Sequence, residues 1–198
     1  MTGEVVQVKV WGERAYFTRP EFGTERVSYE VMTPSAARGV LEAIFWKPEF
    51  RWHVREIRVL KPIRRFSTVR NEVESKQSPR RAGKYYTDED RAQRHTLGLR
   101  DVAYVIKATP VLKPGVDNLV KYLDQFRRRV RKGQCFNQPY LGTRECSAFF
   151  GPPDGTETPI GEDIELGLML LDFDHEARRP LLFNAKLEQG VLKVPVAS

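Results

Sequence analysis

Apolar and polar residues alternate from the start of the chain. Val6, Val8 and Val10 interleave with Gln7 and Lys9 in the period-two pattern of a half-buried strand, and Gly12 is expected to end it. A stretch rich in aromatics and arginine then runs from Glu13 to Met32. Thr33-Pro34 reads as an N-cap followed by proline at the first helical position. Ala37, Val40, Leu41, Ile44 and Phe45 repeat at three-and-four spacing, so a helix is predicted, with Pro48 stopping it after Trp46 and Lys47.

Val54, Ile57 and Val59 predict a strand over Trp52 to Leu60. From Lys61 to Arg100 the pattern dissolves into a polar, basic excursion, which inside a domain implies a functional loop or an extended hairpin. Val102 to Ile106 predicts another strand, and Pro114-Gly115 introduces a second helix to Lys132, with Gly133 as its stop. Val116, Leu119, Val120, Leu123, Phe126 and Val130 make its expected buried stripe, with Tyr122 on the flank. A short strand near Glu145 to Phe150 completes the order strand, helix, strand, strand, helix, strand.

That order predicts an α+β fold of the split βαβ, ferredoxin-like kind: an antiparallel sheet carrying both helices on one face and leaving the other open. The runs Leu166 to Leu171 and Leu181 to Phe183, and the Gln189-Gly190 turn, predict a small antiparallel sheet after it. The expected division is residues 1–150 and residues 151–198.

Charge narrows the function. The formal net charge is +7, so an acidic partner is expected, and nucleic acid rewards each neutralised phosphate by counterion release. Arg64, Arg65, Arg94 and their neighbours up to Arg100 are interleaved with Phe66, Tyr85 and Tyr86, a pattern suited to phosphates and stacked bases. On a helical wheel Lys121, Arg128 and Lys132 fall opposite the apolar stripe and face out. Neither a membrane-spanning run nor a signal peptide is legible, which places the chain in the cytoplasm. Cys135 and Cys146 read as reduced thiols, no metal signature is present, and no cofactor is expected. His95, beside Arg94, is the histidine best placed for chemistry.

Several motifs in order carry a resemblance. Tyr16-Phe17-Thr18-Arg19-Pro20, Thr33-Pro34-Ser35-Ala36-Ala37-Arg38-Gly39, Glu42-Ala43-Ile44-Phe45-Trp46-Lys47-Pro48 and Leu141-Gly142-Thr143-Arg144-Glu145-Cys146 are similar to the CRISPR-associated Cas-five family of the RAMP superfamily, in its subtype I-C form. The resemblance implies an RRM-related ferredoxin-like domain. It also implies an endoribonuclease that binds the repeat hairpin of precursor CRISPR RNA, cuts it without metal and stays on the 5′ handle, beside the backbone and large subunits of an interference complex. Target duplex DNA is a further candidate partner. The family's catalytic positions match Phe45, Lys121 and Tyr122, of which only the lysine is retained. Phe45, lacking a hydroxyl, is expected to stack on a base, while Lys121 and Tyr122 are the expected catalytic pair. The alternative is a scaffold subunit that binds RNA without cutting it.

Overall fold

The computed structural model describes residues 4–22, 24–73, 91–174 and 177–195. The first strand, β1 (Val6–Ala15), runs through Gly12 instead of ending there. A Cβ at Gly12 would lie 2.6 Å from Leu141 Cδ1, so the glycine serves a close approach within the strand. After the short β2 (Arg26–Val27), Thr33 caps α1 (Pro34–Ile44) by accepting from the Ala36 N–H at 3.2 Å.

α1 ends at Ile44, before Trp46, because tertiary donors claim its last carbonyls. Arg129 reaches the Ile44 oxygen at 2.8 Å, the Trp52 indole N–H reaches the Phe45 oxygen at 2.9 Å, and the Phe136 and Asn137 N–H groups both reach the Ala43 oxygen. Helix-end carbonyls need such partners, and these come from distant residues invisible to local pattern.

β3 (Phe50–Val59), β4 (Arg65–Val73) and β5 (Arg91–Leu112) follow. The basic excursion is thus a hairpin: β4 pairs antiparallel with the first half of β5, from Arg65 opposite Leu99 to Val73 opposite Arg91. Lys76, Arg80, Arg81, Lys84, Tyr85 and Tyr86 lie outside the described residues, as does His175.

α2 (Leu119–Lys132) begins later than Pro114-Gly115 suggests, since Gly115 takes a left-handed φ of 80° in a turn; Gly133 ends it at φ 62°. The buried stripe is narrower than the apolar pattern suggests, because at 100° per residue Val120 lies about 100° from its centre. Tyr122, Leu123, Phe126 and Val130 are buried, while Val120 stands 66% exposed. β6 (Phe149–Gly151), β7 (Ile164–Asp174), β8 (Arg179–Glu188) and β9 (Val191–Lys193) complete the chain.

The sheet runs β6-β1-β5-β3-β9-β8-β7, with β2 and β4 also on β5. β9 pairs antiparallel with β3, so the C-terminal strands extend the same sheet. α1 and α2 pack on one face over Val8, Val10, Ile57, Tyr104 and Ile106. The opposite face is not left open. Residues 152–163 cross it, with Glu157 pairing to Lys9 at 3.1 Å and the Ile160 N–H bonding Val59 O at 2.8 Å. Beneath this strap Ala103 and Val105 are buried at 5% and 1% exposure. A sheet face with apolar residues in register needs such a cover. Among the described residues, no helix is long and apolar enough to cross a membrane.

Candidate functional site

The end of α1 and the start of α2 meet. Phe45 leaves the helix with extended backbone, φ −153° and ψ 116°, and its ring lies 6.3 Å from that of Tyr122 and 5.7 Å from Phe50. Tyr122 in turn packs at 5.2 Å against Phe50. The Arg129 guanidinium, further along α2, lies 5.3 Å from the Phe45 ring centroid and closes the cluster.

Phe45 is only 2% exposed, so its ring has no free face for a base and is packed against Tyr122 and Phe50 instead. Tyr122 is 8% exposed, more buried than a flank position implies. Beside it Lys121 is exposed in the first turn of α2, which contains no acidic residue. Among the described residues it has no carboxylate partner. The N-terminal amides and macrodipole of a helix attract anions, and a lysine among them adds a mobile cation to the same point. A phosphate is the chemistry this corner can hold.

The cations divide into two kinds. On the hairpin they are largely committed: Arg65 pairs with Glu30 at 2.8 Å, Arg64 with Asp101 at 3.6 Å, and Arg94 with Glu72 at 3.8 Å. Arg70 grips both oxygens of Glu145, at 2.8 and 2.7 Å, and lies 4.9 Å from the Tyr16 ring. That hydrogen bond holds the Glu145 carboxyl below the usual carboxylate range. Lys61 holds Asp101 low in the same way. His95 is exposed opposite Val69, and strand alternation turns it to the hairpin face away from Arg94. On α2, by contrast, Arg128 and Lys132 are exposed and have no carboxylate partner among the described residues.

The motif Leu141 to Cys146 is a tight loop, and the strand expected near Glu145 to Phe150 is confined to β6 (Phe149–Gly151). The Leu141 N–H bonds Cys146 O at 2.7 Å and the Tyr16 N–H bonds Leu141 O at 3.0 Å. Gly142, at φ 86°, passes so close to Tyr16 that an added Cβ would sit 1.9 Å from its carbonyl oxygen. Through Glu145 this loop ties the hairpin to the body. Among the described residues, no three His, Cys, Asp or Glu side chains are grouped to hold a metal ion. Both cysteines are free.

Functional candidates that residue pattern did not single out are Trp46, Phe136, Tyr140 and Arg144, exposed around the end of α1. The available signal was aromatic residues next to Gly, Asn, Gln and Pro outside any periodic run.

A curled antiparallel sheet backed by two helices places the chain among CRISPR-associated proteins. A crystal structure of a CRISPR-associated protein superposes with a TM-score of 0.73 at 26% identity, covering 98% of this chain and 93% of that one. A functionally uncharacterized protein from Streptococcus mutans, SMU1763c, gives 0.70 at 22% identity over the same shares, and shows the fold. A chain of a CRISPR RNA-guided surveillance complex shares the fold more distantly, with a TM-score of 0.55 at 14% identity over 98% of this chain and 92% of its own. The chain belongs to the CRISPR-associated Cas5 family in its Cas5d, subtype I-C form, whose family model matches residues 5–195. A relative from Thermus thermophilus, named CRISPR pre-crRNA endoribonuclease Cas5d, is 48% identical over 96% of this chain and 91% of its own. One of the same name from Mannheimia succiniciproducens is 45% identical over 96% and 94%.

Proposed function

We propose that this protein is a CRISPR pre-crRNA endoribonuclease that binds the repeat hairpin, cuts it, and remains on the 5′ handle as an interference-complex subunit. What carries the reading is near-complete coverage, at 48% and 45% identity, by two relatives named for that activity. Lys121, next to Tyr122 in the chain and without a carboxylate partner among the described residues, supports it. So does the antiparallel order β6-β1-β5-β3, which is the strand order of a ferredoxin-like core over residues 1–150, followed by the C-terminal region 151–198.

In the proposed reaction the ribose 2′-oxygen bonds to the adjacent phosphorus and the bond from phosphorus to the next 5′-oxygen breaks. The 2′-hydroxyl gives up its proton, the leaving oxygen gains one, and the products are a 2′,3′-cyclic phosphate and a 5′-hydroxyl. Lys121 stabilises the charge that develops on the phosphate, and Tyr122 takes part in moving a proton. Phe45 and Arg129 hold Tyr122 in place. Arg128 and Lys132 follow the RNA backbone along α2. The reaction needs no metal, and the protein works in the cytoplasm beside backbone and large subunits.

Purified protein, incubated in EDTA with precursor RNA carrying its own repeat, is expected to yield the 2′,3′-cyclic end. RNA that is bound but uncut would assign the chain to the scaffold reading, which the missing Phe45 hydroxyl favours. RNA that is not bound would overturn both.

A further inference from the structure

Trp46, Phe136 and Tyr140 keep 51%, 67% and 41% of their surface in solvent. Together with Asn137, Gln138 and Arg144 they line one groove of about 650 Å³ beside the end of α1. That volume lies within the roughly 300–1,000 Å³ typical of ligand sites. Leaving three large rings in water forgoes burial energy, and grouped aromatic surface of this kind marks a binding site.

The groove is held in shape without a ligand. The Phe136 and Asn137 N–H groups bond Ala43 O at 2.8 and 3.0 Å, and the Gln138 amide donates to Ala148 O at 3.1 Å. Tyr140 is bridged to Ser147, and Arg144 sits on the loop pinned by Gly142.

Its chemistry selects the occupant. The core of a patch for a protein partner is depleted of charge, whereas here amides and a guanidinium share the groove with the rings, and further cations adjoin it. Arg144 has no carboxylate partner among the described residues, nor do the exposed Arg131 and Lys132 at the adjoining end of α2. Among the described residues, the one carboxylate lining the groove, Glu42, is turned to Arg38 at 3.5 Å. Burial pushes its carboxyl above the usual range. Ring faces, amide edges and spare cations side by side are what unpaired nucleotides require. The groove also adjoins the proposed cleavage site, because Trp46 follows Phe45 directly in the chain.

We infer that this groove holds an unpaired stretch of RNA flanking the hairpin, with bases stacked on Trp46 and Phe136 and a phosphate on Arg144. The inference rests on the RNA-processing reading above.

The test compares two fluorescent RNAs by anisotropy: the repeat hairpin with an unpaired adenosine flank, and the same hairpin trimmed flush. Trp46→Ala and Phe136→Ala are each expected to weaken the flanked RNA about tenfold, the scale of one lost base stack, and to leave the trimmed hairpin unchanged. Arg144→Ala should weaken the flanked RNA and lower the slope of its salt dependence. Exposed positions tolerate these changes, and an unchanged thermal midpoint verifies it. If the wild type binds neither RNA, the proposed function fails. If the wild type binds both and the variants bind the flanked RNA as tightly, the groove assignment is overturned. It is overturned equally if those variants lose association with other subunits, which would make the groove a protein contact.

Discussion

Lys121→Ala should separate chemistry from folding and from binding. Lys121 is the third residue of α2, exposed, without a carboxylate partner among the described residues, and accompanied by no acidic residue in that first turn. A cation there opposes the helix dipole, an effect of about 0.3–1 kcal/mol at helix ends, and alanine is the better helix former. The variant is therefore expected to keep or slightly raise its thermal midpoint, by roughly 1–3 °C for a domain of this size. RNA affinity should fall only a few-fold, since one phosphate contact among several is lost. Cleavage should drop on the order of 10²-fold, the loss expected when a group acting on transition-state charge is removed. Single-turnover rates at saturating protein exclude binding from the comparison, and Lys121→Arg should recover part of the rate by keeping the charge. A Lys121→Ala protein that cuts at the wild-type rate would refute the placement of the scissile phosphate at the start of α2. A midpoint several degrees lower would refute the claim that Lys121 contributes nothing to stability.

Other outcomes follow from the distribution of ion pairs and tight approaches. Arg128→Glu with Lys132→Glu should weaken hairpin binding and lower its salt slope by roughly 1.5, while Arg64→Glu with Arg65→Glu should do less, because Asp101 and Glu30 already neutralise those two; equal effects in filter binding across a salt series would contradict this. Gly142→Ala meets both a φ of 86° and the Tyr16 carbonyl at 1.9 Å, so a loss above about 4 kcal/mol is expected, read as a collapse of soluble yield or midpoint. Asp172 of β7 binds both Arg38 of α1 and Arg51 of β3, and its side chain is 11% exposed. Burial pushes its carboxyl up, but the Arg38 hydrogen bond and the Phe173 N–H outweigh it and hold it below the usual aspartate value. Since the folded pKa is depressed, the stabilisation is complete above the unfolded value of about 3.9 and is lost as pH falls through the folded one. Asp172→Asn should cost about 1.5–2 kcal/mol at neutral pH, discounted for the 65% exposed Arg51, or roughly 3–8 °C. A midpoint difference that does not shrink on acidification would refute the pairing.

Local chemistry determined the elements. The Thr33 cap and Pro34 start α1, Gly133 ends α2, and the alternation through Val6, Val8 and Val10 sets the buried face of β1, because each depends on residues within a turn or two of one another. The motifs from Tyr16 to Cys146 were also enough to indicate the family. Tertiary structure decided the rest. α1 stops at Ile44 because Arg129, Trp52 and Phe136 reach its carbonyls from up to 93 positions away along the chain, Phe136 donating to Ala43. The strap over Val105 and the joining of β9 to β3 depend on long-range packing that no local period encodes. The same holds for charge. Composition counts Arg65 and Arg128 alike, but only the fold brings Glu30 to one and leaves the other facing water, so only the fold separates cations that brace the hairpin from cations free to hold RNA.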